Sequence, residues 1–387
     1  MKHLNIGRAM ALGLLSITAS VQAAEFRGLG DLTSTQREST GNAVSGDGSV
    51  AVGRGLSSGP EAFQWRQGSM HGLGALSTRP RESYAYGVSG NGSVVVGASA
   101  ASTQGPQAFI WTESGGMQGL GYLSSYRHSE ALGVSPDGQT VAGYGMLDGG
   151  VTKAFQWTAG TGMVALSDLA GGIEGSRAAG AGAGIVAGES WGANGLEATR
   201  WIDGMAYGLG DLEGGGFQSA ATAIAGNGLG IVGYGWSGNG FEAFLWRPGG
   251  DLDIRNPNAP GGMIGLGDLA GGAFSSAAMS VSDNGFVVGR GTTAMGTEAF
   301  LWSQASGMRR LADVLTGEGL DLAGWTLTSA NGISRDGSTI VGTGIDPTGK
   351  TQAWMARVGV VPEPGTFAAL GLGALAFLRQ RRKKGGR

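Results

Sequence analysis

Leu29-Gly30-Asp31-Leu32 opens a repeated pattern, and Ala353-Trp354-Met355-Ala356 closes it. The first motif recurs at Leu73, Leu120, Leu166, Leu209, Leu266 and Leu311; the second, Ala-Phe-x-Trp, begins at Ala62, Ala108, Ala154, Ala198, Ala243, Ala299 and Ala353. The chain thus opens with an orphan of one motif and ends with an orphan of the other. A linear stack of repeats gives no reason for that stagger, whereas a closed ring does. The orphan head is the missing outer strand of the last repeat, and residues 27–32 are expected beside 352–357.

Between the two motifs lies a third, such as Val44-Ser45-Gly46-Asp47-Gly48 leading into Val50-Ala51-Val52-Gly53. Further copies centre on Asp137-Gly138, Asn91-Gly92, Asn227-Gly228, Asn284-Gly285 and Asp336-Gly337. Asp-Gly and Asn-Gly favour the positive φ angles of tight hairpin turns. Each repeat then reads as strands A (Ser-x-Ala-x-Gly-Val-Ser), B (Val-Val-Gly), C (Ala-Phe-x-Trp) and D (Leu-Gly-Asp-Leu). Successive Ala-Phe-x-Trp motifs lie 46, 46, 44, 45, 56 and 54 residues apart. About 40–50 residues per four-stranded unit is the period of a β-propeller blade. The expected fold is all-β, a seven-bladed propeller over 24–359 whose last blade is closed by the N-terminal strand. A β-solenoid, the rival architecture, predicts an elongated molecule and leaves the stagger unexplained.

Small residues at alternate positions of strand A (Ser39, Gly41, Ala43; Ser83, Ala85, Gly87) fit the crowded centre of a ring. The aromatic columns of strand C fill the wider space outside. Unit four is degenerate, with 179–184 reading Ala-Gly-Ala-Gly-Ala-Gly in place of the Asp-Gly hairpin. Unit seven has Trp354 in the Phe column.

The ends differ from the body. Lys2 and Arg8, an apolar stretch from Ala9 to Ile17 and Val21-Gln22-Ala23 read as a signal peptide over 1–23, cut between Ala23 and Ala24. At the other end, Pro362-Glu363-Pro364 precedes 12 apolar residues, Phe367 to Leu378, and then a cluster from Arg379 to Lys384. Such a cluster stays cytoplasmic. The apolar run is shorter than the roughly 17–25 residues of a durable span, so 367–378 is expected to associate with the membrane transiently, before processing. A minimal anchor that is never cut is the blander reading.

Those three parts in that order over 360–387 closely resemble the PEP-CTERM sorting signal of Gram-negative bacteria. The resemblance implies an exosortase as processing partner, with delivery to the cell envelope, the surface or the biofilm matrix of extracellular polysaccharide. The body resembles the HAF family of extracellular repeats through Ala-Phe-x-Trp, Leu-Gly-Asp-Leu and Val-Ser-x-Asp-Gly. Its signature His column is occupied here by Glu61, Gln107, Lys153, Glu197, Glu242, Glu298 and Gln352. That resemblance implies location more than mechanism.

Leaving out the two basic residues of the leader, and the six basic residues and Glu363 of the tail, the body holds 18 basic and 28 acidic residues, a net of −10. That surface is unsuited to nucleic acid. With no Cys and three His, thiolate metal sites are excluded and Ser/His/Asp chemistry finds no motif around His71 or His128. Gly-Leu-Gly-Asp-Leu repeats without a following helix and is turn chemistry rather than a phosphate loop. Asp251-Leu252-Asp253 lacks the continuation of a calcium-binding loop. Asp31, Asp168, Asp211, Asp268 and Asp313 form one column, read as solvated turn carboxylates bonding local backbone N–H groups. No cofactor, metal or catalytic residue is assigned.

One register suggests binding. Arg37, Arg81 and Arg127 each stand seven residues before the strand-A Val, in D–A loops on one face, with Tyr84, Tyr86 and Tyr126 nearby. Arg and aromatic groups suit carboxylate or sugar recognition; the plainer reading is Arg–Glu pairing on a solvated rim. The sequence therefore points to an exported binding or structural protein without an assigned reaction. The alternatives are an extracellular polysaccharide lyase or glycosidase, since carboxylates are plentiful, and a protein-interaction hub of the envelope.

Overall fold

Every repeat folds as four antiparallel strands, and a computed structural model describes residues 23–33, 35, 37–101, 105–249, 254–256 and 261–359. Among them are seven four-stranded sheets, the blades of a seven-bladed β-propeller, and one short helix, Leu311–Gly317. The expected leader and C-terminal helices, the sorting residues Pro362, Glu363 and Pro364, and Asp251 and Asp253 lie outside the described residues.

The first blade runs Ser39–Val44, Val50–Leu56, Pro60–Arg66 and Ser69–Gly72 from the inside outwards. The last blade is built from Thr326–Ile333, Thr339–Ile345, Thr351–Arg357 and, as its outer strand, Glu25–Gly28 from the other end of the chain. Glu25 pairs with Arg357 and Gly28 with Trp354. The closure is as expected, but the strand lies earlier than Leu29-Leu32. Here and in the first six blades strand D is the segment before the motif, such as Ser69–Gly72 before Leu73. Leu29 N–H still donates to the Ala353 carbonyl at 2.8 Å, after which the motif leaves the sheet. Its own work is at the seam, where Leu29 packs with Phe63, Trp65 and Met355.

The strand-A Ser joins the blades. The hydroxyls of Ser39, Ser83, Ser129, Ser176, Ser219 and Ser276 each accept the N–H of the motif Ala one blade back, at 2.9–3.2 Å. Five of them donate in turn to the Gly carbonyl of Leu-Gly-x-Leu; Ser176 donates to Asp168 instead. A buried hydroxyl with donor and acceptor both satisfied accounts for a repeated Ser at a fully covered position. The seventh seam differs. Leu327 stands there, packed with Leu311 and Leu315 of the helix.

Two local expectations are corrected. In six hairpins Gly alone takes positive φ, as Gly48 does at 72°, while its Asp or Asn neighbour does not. In five of the six, Ser holds the loop instead: Ser45 Oγ donates to Asp47 Oδ1 at 2.5 Å and accepts the Val50 N–H at 3.0 Å. The degenerate unit four has the genuine two-residue turn, Ala183 at φ 51° and Gly184 at 78°. The second correction concerns strand A. Each copy carries a β-bulge, so its alternation breaks midway: Gly41 pairs with Gly53, Asn42 is extra, and Ala43 pairs with Val52. The Gly of Val-Val-Gly faces this bulge. A Cβ on Gly53 would overlap the Thr40 carbonyl and come within 3.0 Å of the Phe63 ring. The Phe column, with Thr199 as its member in unit four and Trp354 in unit seven, is wholly buried.

Candidate functional site

A bulge re-aims one side chain per strand, and here the seven extra residues converge. They are Asn42, Tyr86, Leu132, Ala179, Thr222, Met279 and Asn331. All seven line a central cavity of about 560 Å³. That volume falls within the roughly 300–1,000 Å³ of small-molecule sites. The frame around each bulge is small and nearly constant while the bulged residue varies, so the ring is polar at Asn331, Asn42 and Tyr86 and apolar at Leu132, Ala179 and Met279. Part of the ring is locked. Asn331 Nδ2 donates to the Gly41 carbonyl, Asn42 Nδ2 to Ala85 and Thr222 Oγ1 to Ala278, each carbonyl belonging to the residue just before the next blade's bulge.

One end of the cavity is closed by the A–B hairpins. Gly90 N–H donates to the Pro136 carbonyl, Asp47 N–H to Gly90, Arg335 N–H to Gly46 and Asp283 N–H to Arg335, at 2.8–3.0 Å. Asn227 N–H adds a bond to Asp283 Oδ1 at 2.9 Å. The short turn of unit four takes no part in this belt among the described residues. Across that gap Gly226 packs so closely that a Cβ would lie 2.9 Å from Arg335 and 3.2 Å from Pro136. Hairpins of blades three, five and seven therefore meet there as a floor.

Towards the D–A end Tyr86, Arg177, Glu189 and Tyr234 line the cavity, while Glu130, Tyr144 and Arg290 stand on neighbouring blades without lining it. Strand pairing sets Glu130 opposite Tyr144, Arg177 opposite Glu189, Ala220 opposite Tyr234 and Ala277 opposite Arg290. The Arg177 guanidinium lies 4.3 Å from the centre of the Tyr144 ring, a cation–π contact. His128 Nε2 is 2.8 Å from Glu130 Oε1. Burial, with the Glu130 charge second, pushes the Tyr144 hydroxyl up to about 12. Burial likewise raises Tyr86 and Tyr234, so all three remain neutral donors. Burial raises the Glu189 carboxyl, and Arg177 draws it only part of the way back. Among the described residues Glu189, Arg177 and Arg290 form no ion pair.

The loop residues singled out in the sequence lie elsewhere. None of Arg37, Arg81, Arg127 and Tyr126 lines the cavity. Arg37 reaches Asp31 at 3.8 Å and Asp346 at 3.6 Å across the closing seam; Arg81 reaches Glu61 at 3.3 Å. Arg127 is exposed and gives its carbonyl to the Gly105 N–H. Tyr126 is half-buried against the core between blades two and three. Of the nearby tyrosines, Tyr86 is the one that lines the cavity, stacked at 6.3 Å on Tyr84.

The Asp column is also less solvated than expected. Asp313, 63% exposed, sits on the helix beside Arg310, whereas Asp31 is 9% exposed and takes the amide of Gln352 at 3.2 Å. Asp168 pairs with Lys153 at 2.7 Å. Asp211 and Asp268 do accept local N–H groups, from Gln218 and Ser275. No group of three or more His, Asp or Glu suited to a metal ion occurs among the described residues.

Sequence reasoning missed Glu189 and every ring residue but Tyr86, because a bulge in strand A was not foreseen. The available signal was the variable residue inside an otherwise constant Gly/Ala frame.

Comparison with known proteins locates the rest. Residues 360–383 match the PEP-CTERM protein-sorting motif. This chain carries an exosortase sorting signal. It is an exported protein of the Gram-negative type, membrane-anchored before exosortase processing, with a propeller body. No curated protein matches the chain. Among solved structures, a prolyl endopeptidase is 11% identical, covering 88% of this chain and 51% of its own, with TM-score 0.51. TolB from Acinetobacter baumannii is 13% identical, covering 68% of this chain and 63% of its own, with TM-score 0.45. The chain thus spans about half to two thirds of these structures, and the likeness is one of fold. Among the described residues no helix is long and apolar enough to cross a membrane.

Proposed function

We propose that this is a surface or matrix-associated binding protein that performs no reaction of its own. In this reading the leader is cut between Ala23 and Ala24, the 367–378 segment holds the protein at the membrane, and exosortase processing directed by the Pro362-Glu363-Pro364 sorting motif releases it to extracellular polysaccharide. The body then acts as an extracellular repeat module of the HAF type. The observation that carries the reading is the pairing of a sorting motif at 360–383 with a blind, symmetry-broken cavity on the propeller axis. A ring that is polar on one side and apolar on the other suits recognition of one ligand in one orientation.

The test is retention of the purified protein on matrix polysaccharide from the source cells, with reducing ends assayed alongside. Retention without new reducing ends is the expected result. Release of reducing ends would replace this reading with a lyase or glycosidase. Failure to be retained at all would remove polysaccharide as the partner.

A further inference from the structure

The floor makes the cavity blind, and a blind pocket admits the end of a chain but not its middle. Its walls supply two features of sugar recognition: neutral tyrosine hydroxyls on flat rings, at Tyr86 and Tyr234, and a carboxyl at Glu189 with no hydrogen-bond partner among the described residues. Charge selects within that class. Arg177 lines the cavity with its guanidinium against the Tyr144 ring, and Arg290 lies close enough to act electrostatically on Tyr234; both are exposed and form no ion pair among the described residues. A guanidinium fork matches a carboxylate and is ill-suited to an ammonium ligand. Glu189 stands opposite Arg177 in the strand register, close enough to bond ring hydroxyls while the sugar carboxylate engages the arginine.

We propose that the axial cavity binds the terminal residue of a uronic-acid oligosaccharide, its carboxylate on Arg177, with Arg290 adding positive charge nearby, and its hydroxyls on Glu189, Tyr86 and Tyr234. This deepens the matrix-binding reading and rests on it.

The experiment is isothermal titration of the full chain with trigalacturonate, with the same trimer carboxyl-reduced to neutral sugar, and with polygalacturonate of known chain length. The trimer should bind, the neutral trimer should bind at least about tenfold more weakly, and polymer binding should scale with the concentration of chain ends. The Arg177→Ala/Arg290→Ala double variant should lose about tenfold for trigalacturonate while keeping its thermal midpoint, and Glu189→Gln should weaken both trimers. Equal binding of charged and neutral trimers, no binding of either, or an unchanged double variant would overturn the proposal. Matrix retention separates the two levels. A double variant retained like the parent sinks this site and leaves the matrix binder standing, whereas trimer binding without matrix retention sinks the matrix binder alone.

Discussion

Asn331 donates its side-chain amide to the Gly41 carbonyl at 2.7 Å, across 290 residues of sequence. The bond joins the bulge of the last blade to that of the first, at the innermost point of the ring. Replacing Asn331 by Ala leaves a half-buried carbonyl without its donor, a loss of about 1–2 kcal/mol. A urea melt of the N331A protein checks it: an unchanged midpoint at constant slope would show that the bond contributes nothing.

The six serine seams predict a larger effect. Ser83 is fully buried, accepts the Ala62 N–H at 2.9 Å and donates to the Gly74 carbonyl at 2.5 Å. Ser83→Ala strands both partners and should destabilise by about 2–3 kcal/mol, whereas Ser49→Ala, on an exposed turn, should cost under about 1 kcal/mol. Equal losses would contradict the seam assignment.

Closure by the N-terminal strand predicts a polarity of damage. A protein starting at Leu29 lacks Glu25–Gly28, including Phe26, which packs edge-on against Trp325 with ring centroids at 5.5 Å. It should lose about 2–4 kcal/mol relative to one starting at Ala24. Hydrogen exchange should show the loss of protection first in 351–357, the strand left as an edge. Uniform loss across all blades would argue for global collapse instead.

Acid sensitivity follows from the turns. Asp137 takes the Ser135 hydroxyl at 2.5 Å and the Gln139 N–H at 3.0 Å, and these bonds hold its carboxyl below the ordinary range. A folded value below the unfolded one means stability present above about pH 4 and lost as pH falls through the folded value. Asn91 makes equivalent bonds in the second blade without a charge. Asp137→Asn should therefore keep the turn and flatten that part of the pH dependence; a midpoint that still falls as steeply between about pH 4 and 2 would refute it.

Much of the architecture was legible because local chemistry repeats. The Ala-Phe-x-Trp column, the Gly after Val-Val and the serine of strand A recur for the same reason in each blade, so period and stagger could be counted. Residue-level placement was less legible. Leu29-Leu32 looks like a strand because its leucines are buried, yet they are buried against a neighbouring blade rather than within a ladder. Arg37 and Arg81 form a register in sequence, but each meets a carboxylate at its own seam, which no spacing rule foretells.

What the sequence alone determined is the number of blades, the joining of head to tail and the sorting signal, since each depends on motifs read in order along the chain. Only the tertiary structure decided where a ligand could sit. The bulges turn Tyr86 and Asn331 toward the axis, and the floor forms where hairpins of non-adjacent blades meet across a short turn. The convergence of the bulges on one cavity and the floor beneath it both depend on distances through space between residues far apart in the chain, and a linear pattern does not encode those distances.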